Sequence, residues 1–169
     1  VEVWCNDWAR LDERFPAAFQ RYVFGRSRQG DFALPKTLEI LNRHGLLGVF
    51  FVEPLFAARF GIEHLSTITS LIGSAGQDVQ LHLHTEWVDE LPAPPIQDHT
   101  RKRQHLPFHT LDEQRTLLNF ALGLMEQAGV AKPQAFRAGS FACNRDTYRA
   151  LRENGIAIAS SLNACTDKI

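Results

Sequence analysis

The chain's 169 residues suffice for about one domain with a buried core, and 44% hydrophobic with 22% charged residues is a globular rather than a disordered or fibrous composition. A net charge of −1 and a pI near 6.7 exclude an electrostatic case for nucleic acid or an anionic membrane surface. No apolar run approaches a membrane span and no signal-peptide pattern opens the sequence.

Val1-Glu2-Val3-Trp4 reads as a strand already under way, and the chain stops at Ile169 just after another strand-like run. Both ends look cut, so residues 1–169 are expected to form a single, truncated domain. Leu34 to His44 places Leu38, Ile40 and Leu41 at helical spacing, with Pro35 in the first turn and Gly45 as the stop. Leu46 to Val52 is a near-continuous apolar run, as expected of a buried parallel strand. Gly61 to Leu71 offers a second helix, ended by Gly73 and Gly76, and a strand follows from Val79. Residues 88–109 carry Pro92, Pro94, Pro95 and Pro107 without a clear period, and a loop this long is functional or disordered. Thr110 to Ala128 is a helix with a Thr110/Glu113 capping box and Gly129 as its stop. Ala135 to Phe141 reads as a strand, Arg145 to Asn154 as a helix and Ile156 to Leu162 as a strand. Regular alternation predicts βαβ units and a parallel α/β sheet, either open or most of a (β/α) barrel.

In both architectures chemistry belongs at the C-terminal strand ends. His82 and His84 share one face of their strand by its period of two, at such an end. Imidazoles so spaced can share one zinc or other first-row ion. Glu86, two residues on, could add a carboxylate. Glu53, Arg137 to Ser140 and Ser160 to Asn163 bring polar residues to the same rim. Cys5, Cys143 and Cys165 have no CxxC spacing and suggest neither a disulfide framework nor a zinc knuckle; a reducing compartment is the default.

Leu81-His82-Leu83-His84-Thr85-Glu86-Trp87 with the Pro-rich stretch after it, Phe136-Arg137-Ala138-Gly139 with Asn144, and Ala159-Ser160-Ser161-Leu162 together resemble the NodB-homology polysaccharide deacetylases, carbohydrate esterase family four. The resemblance is greatest to a bacterial branch associated with lipopolysaccharide and surface-polysaccharide biosynthesis. It implies a distorted (β/α) barrel, here incomplete, and a bacterial protein in the cytoplasm or at the membrane periphery. It also implies a metal-dependent hydrolase that removes N-acetyl groups from an amino-sugar polysaccharide or its precursor. The divalent metal would be zinc, with cobalt or another first-row metal as alternatives, and the partner a carbohydrate.

By the same resemblance Glu2 is a metal ligand or catalytic acid, with the general base just upstream of Val1 and a general acid beyond Ile169. The usual second His lies four residues after the first, where this chain has Glu86. The ligand set is therefore His82 with His84, or His82 with Glu86; period two favours the histidines. Arg137 would orient the base or meet substrate oxygens, against a surface salt bridge as the plainer reading. Trp87 is a sugar platform or strand-end packing, and Ser140 is a rim residue that could touch substrate. Asn144 caps the next helix or reaches the substrate. Asp7 is a fallback acid, while Trp4 and Trp8 pack the core or a loop. His99, His105 and His109 with Arg101, Lys102 and Arg103 form either a lid over an acidic glycan or a solvated loop face. Two rival functions remain: a cyclic-amide amidohydrolase on this fold, and a catalytically incomplete glycan- or metal-binding domain. Oligomeric state is not legible.

Overall fold

The computed structural model describes residues 1–163; Cys165 and the rest of the terminal run lie outside them. Four parallel strands, β3 (Val49–Val52), β4 (Asp78–Leu83), β5 (Ala135–Ala138) and β6 (Ile158–Ala159), form one sheet in sequence order. Helices make each crossover: α3 (Ala57–Phe60) and α4 (Ile62–Ser74), then α5 (Leu111–Gln127), then α6 (Arg145–Glu153). Ahead of them stand α1 (Leu11–Phe19), a two-residue hairpin of β1 (Arg26–Ser27) and β2 (Gly30–Asp31), and α2 (Leu34–Arg43). This is the α/β alternation expected, arranged as a mixed α/β domain with a parallel sheet.

Burial follows the pleat. Leu81 and Leu83 are buried with Ile68, Ile72, Leu117 and Leu118 on the helix side, while Gln80 and His82 alternate onto the opposite face. Gln80 accepts there from the Gln134 and Ala135 N–H groups at 2.8 and 2.7 Å, which ties β4 to the start of β5. The register sets Val52 beside Leu81 and His82 beside Arg137.

Several elements differ from the sequence reading. Val1–Trp4 is not assigned as a strand, yet Val1 bonds Phe51 and its carbonyl accepts from Glu53 N–H at 3.0 Å, in the parallel manner, along the free edge of β3. The apolar run before Val49 is not buried strand: Leu47 is 88% exposed and Val49 56%. β3 is an edge in the assigned sheet, so only its C-terminal half is covered. β5 ends at Ala138 because Ser140 and Phe141 turn left-handed, with φ of 53° and 57°. β6 is two residues rather than seven.

The Pro-rich loop is ordered. Two 3-10 turns, Thr85–Glu90 and Leu106–Phe108, bracket it, and Thr85 Oγ1 donates to the Arg103 carbonyl at 2.6 Å. Arg103, 7% exposed, forks onto Glu113 of α5 with N–O distances of 2.9 and 2.8 Å. His109 is 4% exposed. Arg103 fastens the loop to α5 and His109 is buried beneath it, while Arg101 and Lys102 stay exposed, so the cluster is not a uniformly solvated face. No helix among the described residues is long and apolar enough to cross a membrane.

Candidate metal centre

Three side chains converge at the C-terminal end of β4. The candidate donor atoms of Glu2, His82 and His84 all lie within 4.8 Å of one another. His84 Nε2 stands 2.7 Å and His82 Nε2 3.3 Å from the same oxygen, Glu2 Oε2. The opposite ring nitrogens are both occupied: His82 Nδ1 lies 2.6 Å from the Arg137 carbonyl and His84 Nδ1 3.2 Å from Glu86 Oε2. An imidazole whose Nδ1 is held by a carbonyl or carboxylate presents Nε2 in a fixed direction, the usual support of a metal-ligating histidine. Two imidazoles and a carboxylate match the donor set of catalytic zinc and other first-row sites that keep open positions. The residues present therefore fit a divalent cation.

Glu86 stands behind His84 rather than among the converging donors, and its side chain is only 7% exposed. Its carboxylate orients the imidazole. Hydrogen bonds from His82 and then His84 hold the Glu2 carboxyl well below the usual carboxylate range. Burial by itself would lower His84, but its hydrogen bonds to Glu2 and Glu86 outweigh it and raise the imidazole to about 10.

The chain also brings close a residue that sequence placed at the rim without a role. Glu53 follows β3 as His82 follows Leu81, so by the pleat it shares the histidines' face one strand over. It is fully buried. The Leu55 N–H donates to Oε1 at 2.9 Å, and Oε2 has no hydrogen-bond partner among the described residues. Desolvation pushes this carboxyl up to about 8, with His84 and Glu2 near enough to act on it electrostatically.

Gly139 is the second such residue. A Cβ there would stand 2.9 Å from His84 Nδ1 and 3.0 Å from the Leu83 carbonyl, so only glycine lets the β5 end lie against the imidazole. Trp4, assigned by sequence to core or loop packing, sets its ring edge-on to His84 with centroids 6.0 Å apart. Period two from Glu2 was the available signal for Trp4.

The remaining candidates separate. Arg137 lies beside His82 and donates to Ser160 Oγ at 2.8 Å and the Ser160 carbonyl at 3.2 Å, over the Phe51 ring at 4.4 Å. Among the described residues no carboxylate pairs with it, so the surface salt bridge has no partner there. A cavity of about 350 Å³ opens beside it, lined by Glu2, Phe50, Phe51 and His82 among others. Trp87 is 1% exposed, edge-on to Trp8 with centroids 5.1 Å apart and against Phe56 and Phe60. With its faces covered it packs the strand end and offers no platform to a sugar. Asn144 caps α6, accepting from Thr147 N–H at 2.9 Å in a reciprocal box. Ser140 is exposed in its left-handed turn, next to Gly139. Asp7 lines a separate cavity with Trp4.

A polysaccharide deacetylase candidate from Mycobacterium smegmatis superposes with a TM-score of 0.62 at 23% identity, covering 92% of this chain and 45% of that one. The fold is that of the family 4 carbohydrate esterases. BA3943 of Bacillus anthracis, a pseudoenzyme of that family, matches with a TM-score of 0.52 at 20% identity over 75% of this chain and 37% of its own. A BA3943 variant has restored enzymatic activity. A family 4 esterase from Streptomyces lividans, solved with acetate, matches at 0.50 and 16% identity over 72% of this chain and 52% of its own. The chain thus spans about half or less of the length of these esterase-fold proteins. No protein-family model and no curated protein matches the sequence.

Proposed function

We propose that this chain carries the metal-binding half of a hydrolase that removes N-acetyl groups from an amino-sugar polysaccharide or its precursor. The observation that carries the reading is the convergence of His82 Nε2 and His84 Nε2 on one Glu2 oxygen, each ring anchored through Nδ1. Glu2, His82 and His84 would hold a divalent cation, zinc or another first-row ion. When bound, such a cation lowers the pKa of a water ligand and polarises an amide carbonyl.

The chain's own groups supply the rest. Glu86 and the Arg137 carbonyl fix the two imidazoles before any ligand arrives, so little ordering is left for the binding step. Arg137, steadied by Ser160 and the Phe51 ring, presents a cation at the cavity beside Glu2 and would receive substrate oxygens. Glu53 holds its proton on a carboxyl at the back of the cluster. Motif resemblance supports a role in surface-polysaccharide biosynthesis.

The reading is tested by titrating the chain with Zn(II) and assaying acetate release from N-acetylated amino-sugar oligosaccharides. Stoichiometric binding that His82→Ala abolishes, with the fold intact, is expected. Full zinc occupancy in that variant overturns the site. The family 4 fold also houses pseudoenzymes such as BA3943. Zinc bound stoichiometrically without acetate release would favour the second reading, a glycan- or metal-binding domain without turnover.

A further inference from the structure

A cavity of about 280 Å³ shares a wall with the donor cluster: Trp4 lines it, and the same indole stands edge-on to His84. Its other walls include Asn6 and Asp7 on the N-terminal segment and Arg14, Arg21 and Tyr22 on α1 and the π-turn that extends it, Gln20–Phe24. The volume sits at the lower end of small-molecule sites.

The pattern of α1 explains why the arginines point there. Leu11, Phe15, Phe19 and Val23 are buried in the core, so the remaining face of the helix turns outward. Arg14 and Arg21 lie two turns apart on that face, and between them Ala17 and Ala18 leave the floor open. Arg10, one turn earlier, is taken up by Glu13. Among the described residues, neither Arg14 nor Arg21 has a carboxylate within salt-bridge distance; Arg21 lies 5.7 Å from the centre of the Tyr22 ring. Asp7 is the acid in the wall, which leaves it a net positive charge. Two guanidinium forks beside aromatic rings are suited to an oxyanion on a ring-shaped ligand, because each fork can pair two oxygens at once.

We propose that this cavity binds an anionic substituent, a phosphate or a carboxylate, of an amino-sugar glycan whose N-acyl group lies at the metal donors. The proposal rests on the deacetylase reading for the identity of the ligand as a glycan. The substrate class is then an acidic or phosphorylated amino-sugar polymer rather than a neutral one.

The test uses the full chain in calorimetric titrations with N-acetylglucosamine, N-acetylglucosamine 1-phosphate, N-acetylmuramic acid and inorganic phosphate. At least one acidic sugar is expected to bind on the order of tenfold tighter than the neutral sugar, with a margin that shrinks as salt is raised. Preference for the phosphate or for the carboxylate sugar identifies the source of the anion. Arg14→Gln with Arg21→Gln should erase the margin while leaving Zn(II) binding and the neutral sugar unchanged. Arg14→Lys with Arg21→Lys should keep part of it, as point charges without the fork. Inorganic phosphate binding as tightly as the sugar phosphate, or a margin that survives the double glutamine change, overturns the proposal. Zn(II) titration of the same samples reports separately on the metal centre, so either reading can fail without the other.

Discussion

Gly139 and Glu53 show how single residues hold the candidate metal centre from behind. A methyl group at position 139 would press on His84 Nδ1 and on the strand carbonyl before it, and the backbone at Leu83 cannot give way without disturbing β4. Gly139→Ala is therefore expected to weaken Zn(II) affinity by roughly tenfold or more, as loss of a ligand's support does, with a modest loss of stability. Unchanged affinity by calorimetry would mean that the imidazole relaxes freely. Glu53 makes a different prediction. Its carboxyl sits at about 8 in the folded chain against an ordinary value of 4.5, so between those values the native state binds more protons than the unfolded one. The stability it contributes is complete below pH 4.5 and is lost as pH rises toward 8. Glu53→Gln, measured by urea unfolding in the metal-free chain, should flatten that decline and become the more stable form near pH 8, by on the order of 2 kcal/mol. Equal pH slopes in the two proteins would rule this out. The histidine pair was legible in sequence because period two is local. The roles of Glu53 and Gly139 were not, since each depends on what an adjacent strand brings against it.

The Pro-rich loop between β4 and α5 gains its order from the elements on either side of it. Arg103 reaches Glu113 in the first turn of α5 and also the Asp98 and Phe108 carbonyls, so one guanidinium holds both halves of the loop to the helix. The Arg103 hydrogen bond draws Glu113 down to about 2, and Thr110 completes a capping box with that same carboxylate. Replacing Arg103 with Ala leaves a carboxylate and two carbonyls short of a donor, at a cost of about 3 kcal/mol. Proteolysis should then cut within residues 92–105 well before global unfolding. Protection equal to that of the unmodified chain would show that the 3-10 turns hold the loop unaided. Sequence supplied the capping box but not this pair, because ten residues of aperiodic chain separate its members. It passed over α1 for another reason. Leu11, Phe15, Phe19 and Val23 recur every four residues, slower than an α-helix turns, with Pro16 among them. The π-turn at Gln20–Phe24 absorbs that lag, and only with it in place does the stripe stay on the core.

At the scale of the molecule the donor cluster is a long-range joint. Glu2 and His82 are 80 positions apart, and the first residues reach the cluster along the open edge of β3 through bonds from Val1 to Phe51 and Glu53. Alternating strands and helices announced a parallel α/β sheet with its chemistry at the strand ends, since each unit is locally patterned. The arrival of residue 2 beside residue 82 has no local pattern, so sequence offered Glu2 through family resemblance alone. With that geometry a bound cation would cross-link the N-terminal segment and the centre of the sheet. A ligand bound only by the native state stabilises it by about 2.7 kcal/mol at a hundredfold excess over its dissociation constant. For a chain of this size the midpoint should rise by roughly 5–10 °C. Zn(II) should also slow hydrogen exchange at Val3 and Cys5, far from the histidines in sequence but next to the ligand they share. His82→Ala and Glu2→Gln should each remove the exchange effect, and His82→Ala the thermal shift as well. A midpoint that zinc leaves unmoved, in the presence of stoichiometric binding, would place the ion somewhere that does not join these two parts of the chain.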